Sequence, residues 1–398
     1  MQKKMGLLPK LLLGIIFGII IGLISKSIEM YIPVRLLSTF SGIFGNFLKF
    51  IIPCIIIGFV APGIADLGKS AGKMLGITAL FAYSSTIIAG TFAYVAGSSI
   101  LSKVIKVGET AGKSNIDLSP YFTIEMPPIM GVMTALVLAF VLGVGMASIK
   151  GKDLKGALSD FQSIVELVIK NVIIPFIPIH VAGIMAKLTT TGEIFVTIKA
   201  FSTVFAIIIP LQIIYVLLQY IVAWMFTKKS PAVCIKNMLP AYFTAIGTQS
   251  SAATIPITMQ SARKNGIAED VVDFVVPLCA TIHLAGDTIT LVLLSMGVMM
   301  IAGTVPTFSM MLPFILMLGV TMVAAPGIPG GGVMAALGLL EGMLGFTGAQ
   351  QTLMIALHFA QDSFGTAANV TGDGAIALIV DKLIRKKNNT TLQKAENA

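Results

Sequence analysis

Long apolar runs separated by short charged segments constrain this chain more than any other feature. Residues 6–25 form the first run, and similar runs recur as far as residue 382. A membrane-spanning helix needs about 20 predominantly apolar residues, whereas the strands of a spanning barrel are about half as long and alternate in polarity. The pattern therefore predicts an all-α, multi-pass integral membrane protein.

The composition agrees with a lipid environment. The 398 residues are 56% hydrophobic and 11% charged, whereas soluble domains carry about 25% charged residues. The net charge of +9 is explained by lysines in cytoplasmic loops, and without a basic patch interleaved with aromatic residues no nucleic-acid partner is expected. Three cysteines lie far apart without paired metal-ligand spacing, which favours simple packing; they are Cys54, Cys234 and Cys279.

The apolar runs predict eight spanning helices. These cover residues 6–25, 38–65, 73–100, 128–149, 156–187, 194–226, 267–302 and 348–382. Lysine and arginine placement predicts that both termini are cytoplasmic, if two further apolar segments each enter and leave on one side. The supporting charges are Lys3, Lys4, Lys69, Lys73, Lys150 to Lys155, Lys228, Lys229 and Arg385 to Lys387, whereas Lys103, Lys106 and Lys113 oppose the rule.

The two further apolar segments have polar or irregular middles. One contains "GTQSSAATIPIT" at residues 247–258, and the other contains "APGIPGGG" at residues 325–332. Irregular backbone at membrane depth is tolerated only where it is buried in protein or lines a wet cavity. We interpret each as the tip of a re-entrant helical hairpin, whose N–H groups suit a carboxylate and whose carbonyls suit a cation. A kinked helix or an ordinary loop stays open for either tip alone, but a pair of breaks is typical of a secondary transporter.

A polar stripe runs along the last predicted span. Its members recur every three or four residues and so share one helical face: His358, Asp362, Thr366, Asn369 and Asp373. A charged residue at mid-membrane costs roughly 2.5–3.5 kcal/mol on insertion scales. A bound cation or an ammonium substrate would offset that cost, although a structural stripe packed against hydroxyls stays open.

Histidines in two spans offer a proton-linked alternative. His283 and Asp287 are four residues apart in the seventh span, so a continuous helix would place them on one face, where they could pair. For each of His283 and His358 two roles stay open: the side chain relays protons, or it is neutral and hydrogen-bonded.

Several motifs together resemble one transporter family. They are "SSAATIPIT" at 250–258, "GIPGGG" at 327–332, "NVTGD" at 369–373 and "FLKFIIPCIIIGFVAPGIADLG" at 47–68. These resemble the dicarboxylate/amino acid:cation symporter family, with its glutamate-transporter fold, and the chain looks like a divergent bacterial-type member. The resemblance covers nearly the whole chain. It implies inverted repeats, eight spans plus two re-entrant hairpins, a homotrimer in the lipid of the cell (plasma or inner) membrane, and an elevator mechanism.

The resemblance also implies a division of the chain. Residues 1–72 and 103–190 would form the scaffold, with spans 1 and 2 in the former and a loop with spans 4 and 5 in the latter. Residues 73–102 and 191–383 would form the moving transport domain, and residues 384–398 a cytoplasmic tail. Hairpin one would cover 231–264, and hairpin two, the gate, 307–346.

Site residues follow from the resemblance position by position. The implied substrate-binding residues are Ser250, Ser251, Thr254, Asp287, Gly327, Ile328, Pro329, Gly330, Asp362, Gly365, Thr366 and Asn369. The serines and the second tip would hold an α-carboxylate, Asp362 the α-ammonium, and Thr366 and Asn369 the other polar atoms. The implied cation-binding residues are Asn369, Asp373, Tyr83, Thr86 and His283. Asp373 would bind sodium, and no enzyme cofactor is expected.

Two departures from the family bear on the substrate and the coupling ion. Members that carry acidic substrates have an arginine where this chain has Gly365, and some have another where it has Gln249. Without a bidentate partner for a side-chain carboxylate, a small neutral amino acid is favoured, and an arginine at 365 would be expected to favour acidic substrates. The family's "NMDGT" reads "HLAGD" here, so that His283, Ala285 and Asp287 replace its polar residues. Fewer sodium ions, proton coupling or a cationic substrate group stay open.

The sequence therefore predicts cation-coupled, sodium-driven symport of a small neutral amino acid. Proton-coupled or exchange transport of a dicarboxylate or a cationic amino acid is the alternative, and an ion channel a more distant one. An intramembrane aspartic protease is disfavoured, because Asp362 and Asp373 lie eleven residues apart on one helix, roughly 16 Å by helical rise.

Overall fold

The computed structural model describes residues 7–69, 73–105, 107–108, 116–149, 152–322, 325, 327 and 329–396. Within these residues every regular element is helical, which confirms the predicted all-α class. Several residues used above lie outside the described part of the chain: Lys3, Lys4, Lys106, Lys113, Lys150, Pro326 and Ile328.

Fourteen α-helices and one π-helical turn make up the described chain. In order they are α1 (Leu7–Ser27), α2 (Ile32–Lys69), α3 (Lys73–Val104), α4 (Val132–Ile149), α5 (Asp153–Val168), the π turn (Ile169–Ile173), α6 (Ile174–Thr191), α7 (Ile194–Thr227), α8 (Pro231–Thr248), α9 (Ser251–Lys264), α10 (Glu269–Ile282), α11 (Ala285–Ile301), α12 (Phe308–Met322), α13 (Gly331–Leu344) and α14 (Gly348–Glu396).

Six stretches of helix in the described residues are long and apolar enough to cross a membrane. They are Pro9–Ser27, Ile32–Ala65, Met74–Val104, Asp153–Thr191, Thr197–Thr227 and Glu269–Ile301. In an apolar 18-residue portion of each stretch, 94% of the last is buried within the protein, against 28% of the first. The α10–α11 segment is therefore central to the fold, whereas α1 lies at its edge.

Close helix packing holds α1 against α6. Gly14, Gly18 and Gly22 recur every four residues and line the face of α1 that meets α6. A Cβ built on Gly18 would lie 2.3 Å from the carbonyl oxygen of Ala182. In lipid, where apolar surface gains little from association, such small-residue faces let two backbones approach closely.

Prolines account for the irregularity of the fifth predicted span. The π turn ends two residues before Pro175, which has no N–H to donate to the carbonyl of residue 171. Such a bulge is a common local adjustment in an apolar helix, and α6 then continues through Pro178.

The first predicted tip is a short break between α8 and α9. Gln249 has a φ of 53°, and Ser250 is extended, with its hydroxyl accepting the Ala253 N–H at 3.1 Å as an N-cap. Asn237, in α8, donates to the side-chain oxygen of Asn265, just after α9, at 2.8 Å. The two helices therefore fold back on each other, and the break is narrower than the twelve-residue motif that predicted it.

The seventh predicted span is broken, which its sequence did not indicate. α10 ends at Ile282, His283 and Leu284 are non-helical, and α11 begins at Ala285. A second helical pair follows, α12 and α13, which pack on each other across the glycine- and proline-rich break. By contrast, α14 is one continuous helix, and it runs to Glu396 rather than ending at the predicted residue 382.

The α1–α6 contact predicts unequal effects of equivalent substitutions. Gly18→Ala should destabilise the purified protein by about 1–3 kcal/mol, because the added methyl overpacks the contact. Gly76→Ala, in α3, is the matched control, since a Cβ there meets nothing within 4 Å. Thermal unfolding in detergent measures both variants. Equal melting temperatures for Gly18→Ala and Gly76→Ala would contradict the packing described.

Candidate functional site

The two helix breaks meet at Asp362, in the first third of α14. The Ser250 hydroxyl donates to the Gly327 carbonyl at 2.6 Å, which joins the first break to the second. The Gly330 N–H donates to Asp362 Oδ2 at 2.8 Å, which joins the second break to α14. Asp362 is 3% exposed. Three separate segments therefore enclose one carboxylate.

Gly330 occupies a position that only glycine can fill. Its φ is +75°, and a Cβ there would lie 1.9 Å from the ring of Phe359. Phe359, one turn before Asp362, therefore packs directly on the glycine backbone. This contact and the positive φ together aim the Gly330 N–H at the Asp362 carboxylate.

Asp287 lies beside Asp362 rather than beside His283. Asp287 Oδ1 is 3.6 Å from His358 Nε2, and ligand atoms of Asp287, His358 and Asp362 all lie within 4.8 Å of one another. A Cβ built on Gly365 would be 2.6 Å from Asp287 Oδ1. The carboxylate therefore fills the space next to Gly365. The predicted pairing of His283 with Asp287 is wrong, because the break between α10 and α11 interrupts the helical face they were expected to share.

His283 instead pairs with Asp373. Its Nδ1–H donates to Asp373 Oδ1 at 2.9 Å, and both side chains are at most 1% exposed. On the other side of the ring, Nε2 lies 3.0 Å from Ser85 Oγ and 3.1 Å from Gln219 Nε2. Tyr215 completes the group by donating to the Ser85 carbonyl at 2.5 Å. Within the described chain, Asp373 Oδ2 is buried without a hydrogen-bond partner, so one carboxylate oxygen is unpaired.

The remaining predicted residues have local partners. The Asn369 side-chain oxygen accepts the Gly286 N–H at 2.7 Å, and Thr366 Oγ1 is 3.5 Å from Asp362 Oδ1. Thr254 donates to the Ser250 carbonyl at 2.8 Å, within the first break. Two of the predicted cation ligands, on α3, make their hydrogen bonds to backbone carbonyls: Tyr83 to Leu316 at 3.5 Å and Thr86 to Ala82 at 2.9 Å.

Sequence reasoning missed a polar face on α7. Gln212 donates to the Gly286 carbonyl at 3.1 Å and to the Thr290 hydroxyl at 2.9 Å, and so holds the start of α11. Gln212, Tyr215 and Gln219 are spaced by three and four residues along an otherwise apolar helix. The same spacing rule that identified the α14 stripe would have identified this face.

Comparison with known proteins decides the family. The profile of the sodium:dicarboxylate symporter family matches residues 7–383. The chain belongs to this family. The family consists of transporters rather than enzymes, and six helical stretches of the described chain are long and apolar enough to cross a membrane. The chain is also 29% identical over 299 residues to excitatory amino acid transporter 1 of Ambystoma tigrinum, an alignment that covers 72% of this chain and 53% of that protein. The chain thus spans about half the length of this curated relative.

At the two positions where some family members are expected to have an arginine, this chain has uncharged residues. Gln249, at one arginine position, donates to the Ser363 hydroxyl at 2.9 Å. Gly365, at the other, is covered by the Asp287 carboxylate. The described buried side chains include no lysine or arginine. The surroundings of Asp362 therefore contribute negative charge where a dicarboxylate carrier needs positive charge.

The Gly330 contact predicts a position-specific loss of stability. Gly330→Ala should destabilise the protein by about 1–3 kcal/mol more than Gly345→Ala, because both residues have positive φ but only Gly330 abuts a ring. A Cβ on Gly345 meets nothing within 4 Å, so that variant isolates the cost of the backbone conformation. Unfolding of both variants in detergent tests this, and equal losses would show that Phe359 imposes no constraint.

The His283–Asp373 pair predicts partial rescue in a double variant. His283→Ala should cost about 3–5 kcal/mol, because it leaves a buried carboxylate without its partner. Adding Asp373→Asn should restore much of that loss, since a neutral amide is easier to bury. Unfolding of wild type, both single variants and the double variant gives the coupling energy. Strictly additive losses would argue against a charged pair.

Proposed function

We propose that this protein is a secondary active transporter that couples symport of a small neutral amino acid to a cation, sodium being the first candidate. The observation that carries the proposal is the enclosure of Asp362 by two helix breaks. Family membership supports cation-coupled transport in general. The finer features, namely substrate, ion and mechanism, rest on the local chemistry.

The substrate's two charged groups have matching partners at the breaks. Asp362 has one oxygen on the Gly330 N–H and the other 3.5 Å from Thr366, which leaves it available to an α-ammonium. α9 begins at Ser251 and α13 at Gly331, so two helix N-termini adjoin the joined breaks. Helix N-termini attract anions, which suits an α-carboxylate held with the help of Ser250 and Ser251.

Asp373 is the proposed sodium ligand. Its free Oδ2 is an oxygen donor of the kind that alkali cations prefer, and Asn369 lies one turn before it. His283 is hydrogen-bonded to the other carboxylate oxygen at 2.9 Å, and its proposed part in the cation site is to position Asp373. Tyr83 and Thr86 are proposed to serve a second cation position on α3. Eight spans, two re-entrant hairpins, cytoplasmic termini, a homotrimer in the cell membrane and an elevator motion of the transport domain (73–102 and 191–383) complete the proposal.

The position of Asp287 supports a second candidate substrate. A substrate with a neutral side chain suits this pocket, because the buried side chains that the structure describes include no arginine. However, the Asp287 carboxylate stands where a substrate side chain would end, beside Gly365. A cationic amino acid would satisfy both Asp287 and Asp362, whereas a dicarboxylate would meet like charge at each.

Uptake of labelled amino acids into proteoliposomes tests the proposal. Vesicles with an inward sodium gradient at equal pH should accumulate a small neutral amino acid, and vesicles without a gradient should not. Competition by unlabelled neutral, cationic and acidic amino acids then ranks the candidates. Accumulation driven only by a proton gradient would show that protons, and not sodium, are the coupling ion. Ionic current without amino-acid uptake would favour an ion channel.

The Asp362→Asn substitution removes the carboxylate that is proposed to bind the substrate's α-ammonium group. The variant should reduce amino-acid binding by more than about 100-fold, because a charged hydrogen bond in a desolvated site is worth several kcal/mol. Asp381→Asn is the matched control. Asp381 lies on the same helix but away from the breaks, and it pairs with Arg385 at a distance of 2.8 Å. Asp373→Asn should instead weaken sodium dependence. Equilibrium binding at several sodium concentrations separates the three variants, and unaltered binding by Asp362→Asn would reject its role.

A further inference from the structure

Three buried side chains beside the joined breaks form a cluster in which three polar atoms have no hydrogen-bond partner among the described residues. Asp287, His358 and Asp362 are each at most 4% exposed. In the described chain, Asp287 Oδ1 and both ring nitrogens of His358 make no hydrogen bond, because the 3.6 Å separation of Asp287 Oδ1 and His358 Nε2 is too long for one. Buried polar atoms in native proteins are almost always satisfied, so this group calls for an occupant.

The donor set specifies the kind of occupant. One imidazole nitrogen and two carboxylate oxygens match the ligands of zinc and its neighbours, whereas sodium, magnesium and calcium prefer oxygen alone. Two carboxylates and a neutral imidazole carry a charge of −2, which a divalent ion neutralises. We infer that Asp287, His358 and Asp362 bind a divalent transition-metal ion of the zinc type in the substrate-free protein.

The geometry of the cluster favours a single ion over a larger ligand. The three ligand atoms lie within 4.8 Å of one another. Ligands about 2.0–2.2 Å from a tetrahedral zinc lie roughly 3.3–3.6 Å apart. Asp287 Oδ1 and His358 Nε2 are 3.6 Å apart, so side-chain rotations that move the ligand atoms by about 1 Å close the site. The backbone at Gly332 and Gly365 packs closely against the Asp287 carboxylate. Cβ atoms built on these glycines would lie 2.8 and 2.6 Å from its oxygens. Residues 332 and 365 thus leave little room on those sides for an organic group.

Zinc and the amino acid would compete for one carboxylate. Asp362 is shared between this metal site and the proposed ammonium site, so a bound ion would exclude the substrate. This consequence alone rests on the proposed function. The metal site itself is independent of whether the protein transports amino acids.

Calorimetric titration of the full-length, chelator-treated protein in detergent with zinc, without amino acid, tests the inference. Wild type should bind one equivalent at the cluster, and Asp287→Asn and His358→Gln should each weaken it by more than about 100-fold, since even outer-shell changes cost 10–100-fold. His180→Gln is the matched control, because the buried His180 side chain also has no hydrogen-bond partner among the described residues but lies on α6. It should bind zinc as wild type does.

Cobalt substitution provides a readout that does not depend on variants. One bound cobalt ion with nitrogen and oxygen ligands should give visible d–d bands and no thiolate charge-transfer band. Absence of stoichiometric zinc binding to wild type, or equal affinity in Asp287→Asn, His358→Gln and His180→Gln, would overturn the inference. Amino-acid uptake without zinc binding would overturn it while leaving the proposed function intact.

Discussion

Three buried aspartates set the main constraint on this structure. Asp287, Asp362 and Asp373 are at most 4% exposed, and the described buried side chains include no lysine or arginine to neutralise them. An isolated carboxylate in a medium of low polarity is strongly unfavourable, so each needs a specific compensating group. Asp373 faces the ring of His283, Asp362 faces a backbone N–H, and Asp287 faces His358. The fold around them is arranged to supply these groups.

Helix breaks rather than side-chain cations supply much of that compensation. α9, α11 and α13 each begin at a break, and each beginning is tied to the same region: Ser250 to the Gly327 carbonyl, the Gly286 N–H to Asn369, and the Gly330 N–H to Asp362. A helix N-terminus carries a partial positive charge and unpaired N–H groups. Because the beginnings of α11 and α13 bond directly to the polar face of α14, that face is suitable for anionic groups, whether they belong to the protein or to a ligand.

The sequence predicted the polar face of α14 but not which residues its side chains pair with. Both outcomes depend on helix continuity, since a spacing of three and four residues marks one face only along an unbroken helix. α14 is a continuous helix, so a spacing of three and four residues keeps its stripe on one face. The same periodicity failed for His283 and Asp287, because the helix is interrupted at His283 and Leu284, and neither of these residues is a proline or a glycine. Tertiary contacts, including Gln212 with the Gly286 carbonyl, hold that break, and no local pattern encodes them. The polar face of α7 followed the ordinary rule and was detectable.

In the proposed transporter, substrate selectivity would depend on a pair of positions rather than on one. The family resemblance assigns selectivity to position 365, where an arginine would be expected to favour acidic substrates. Here any side chain at 365 begins 2.6 Å from Asp287 Oδ1, so an arginine introduced alone must displace the carboxylate before its guanidinium can reach a substrate. If the displaced carboxylate stayed nearby, it would also bind that guanidinium and neutralise the charge that an acidic substrate needs. A change toward acidic substrates therefore requires a smaller, uncharged residue at 287 together with the arginine at 365, since one residue occupies the space that the other needs.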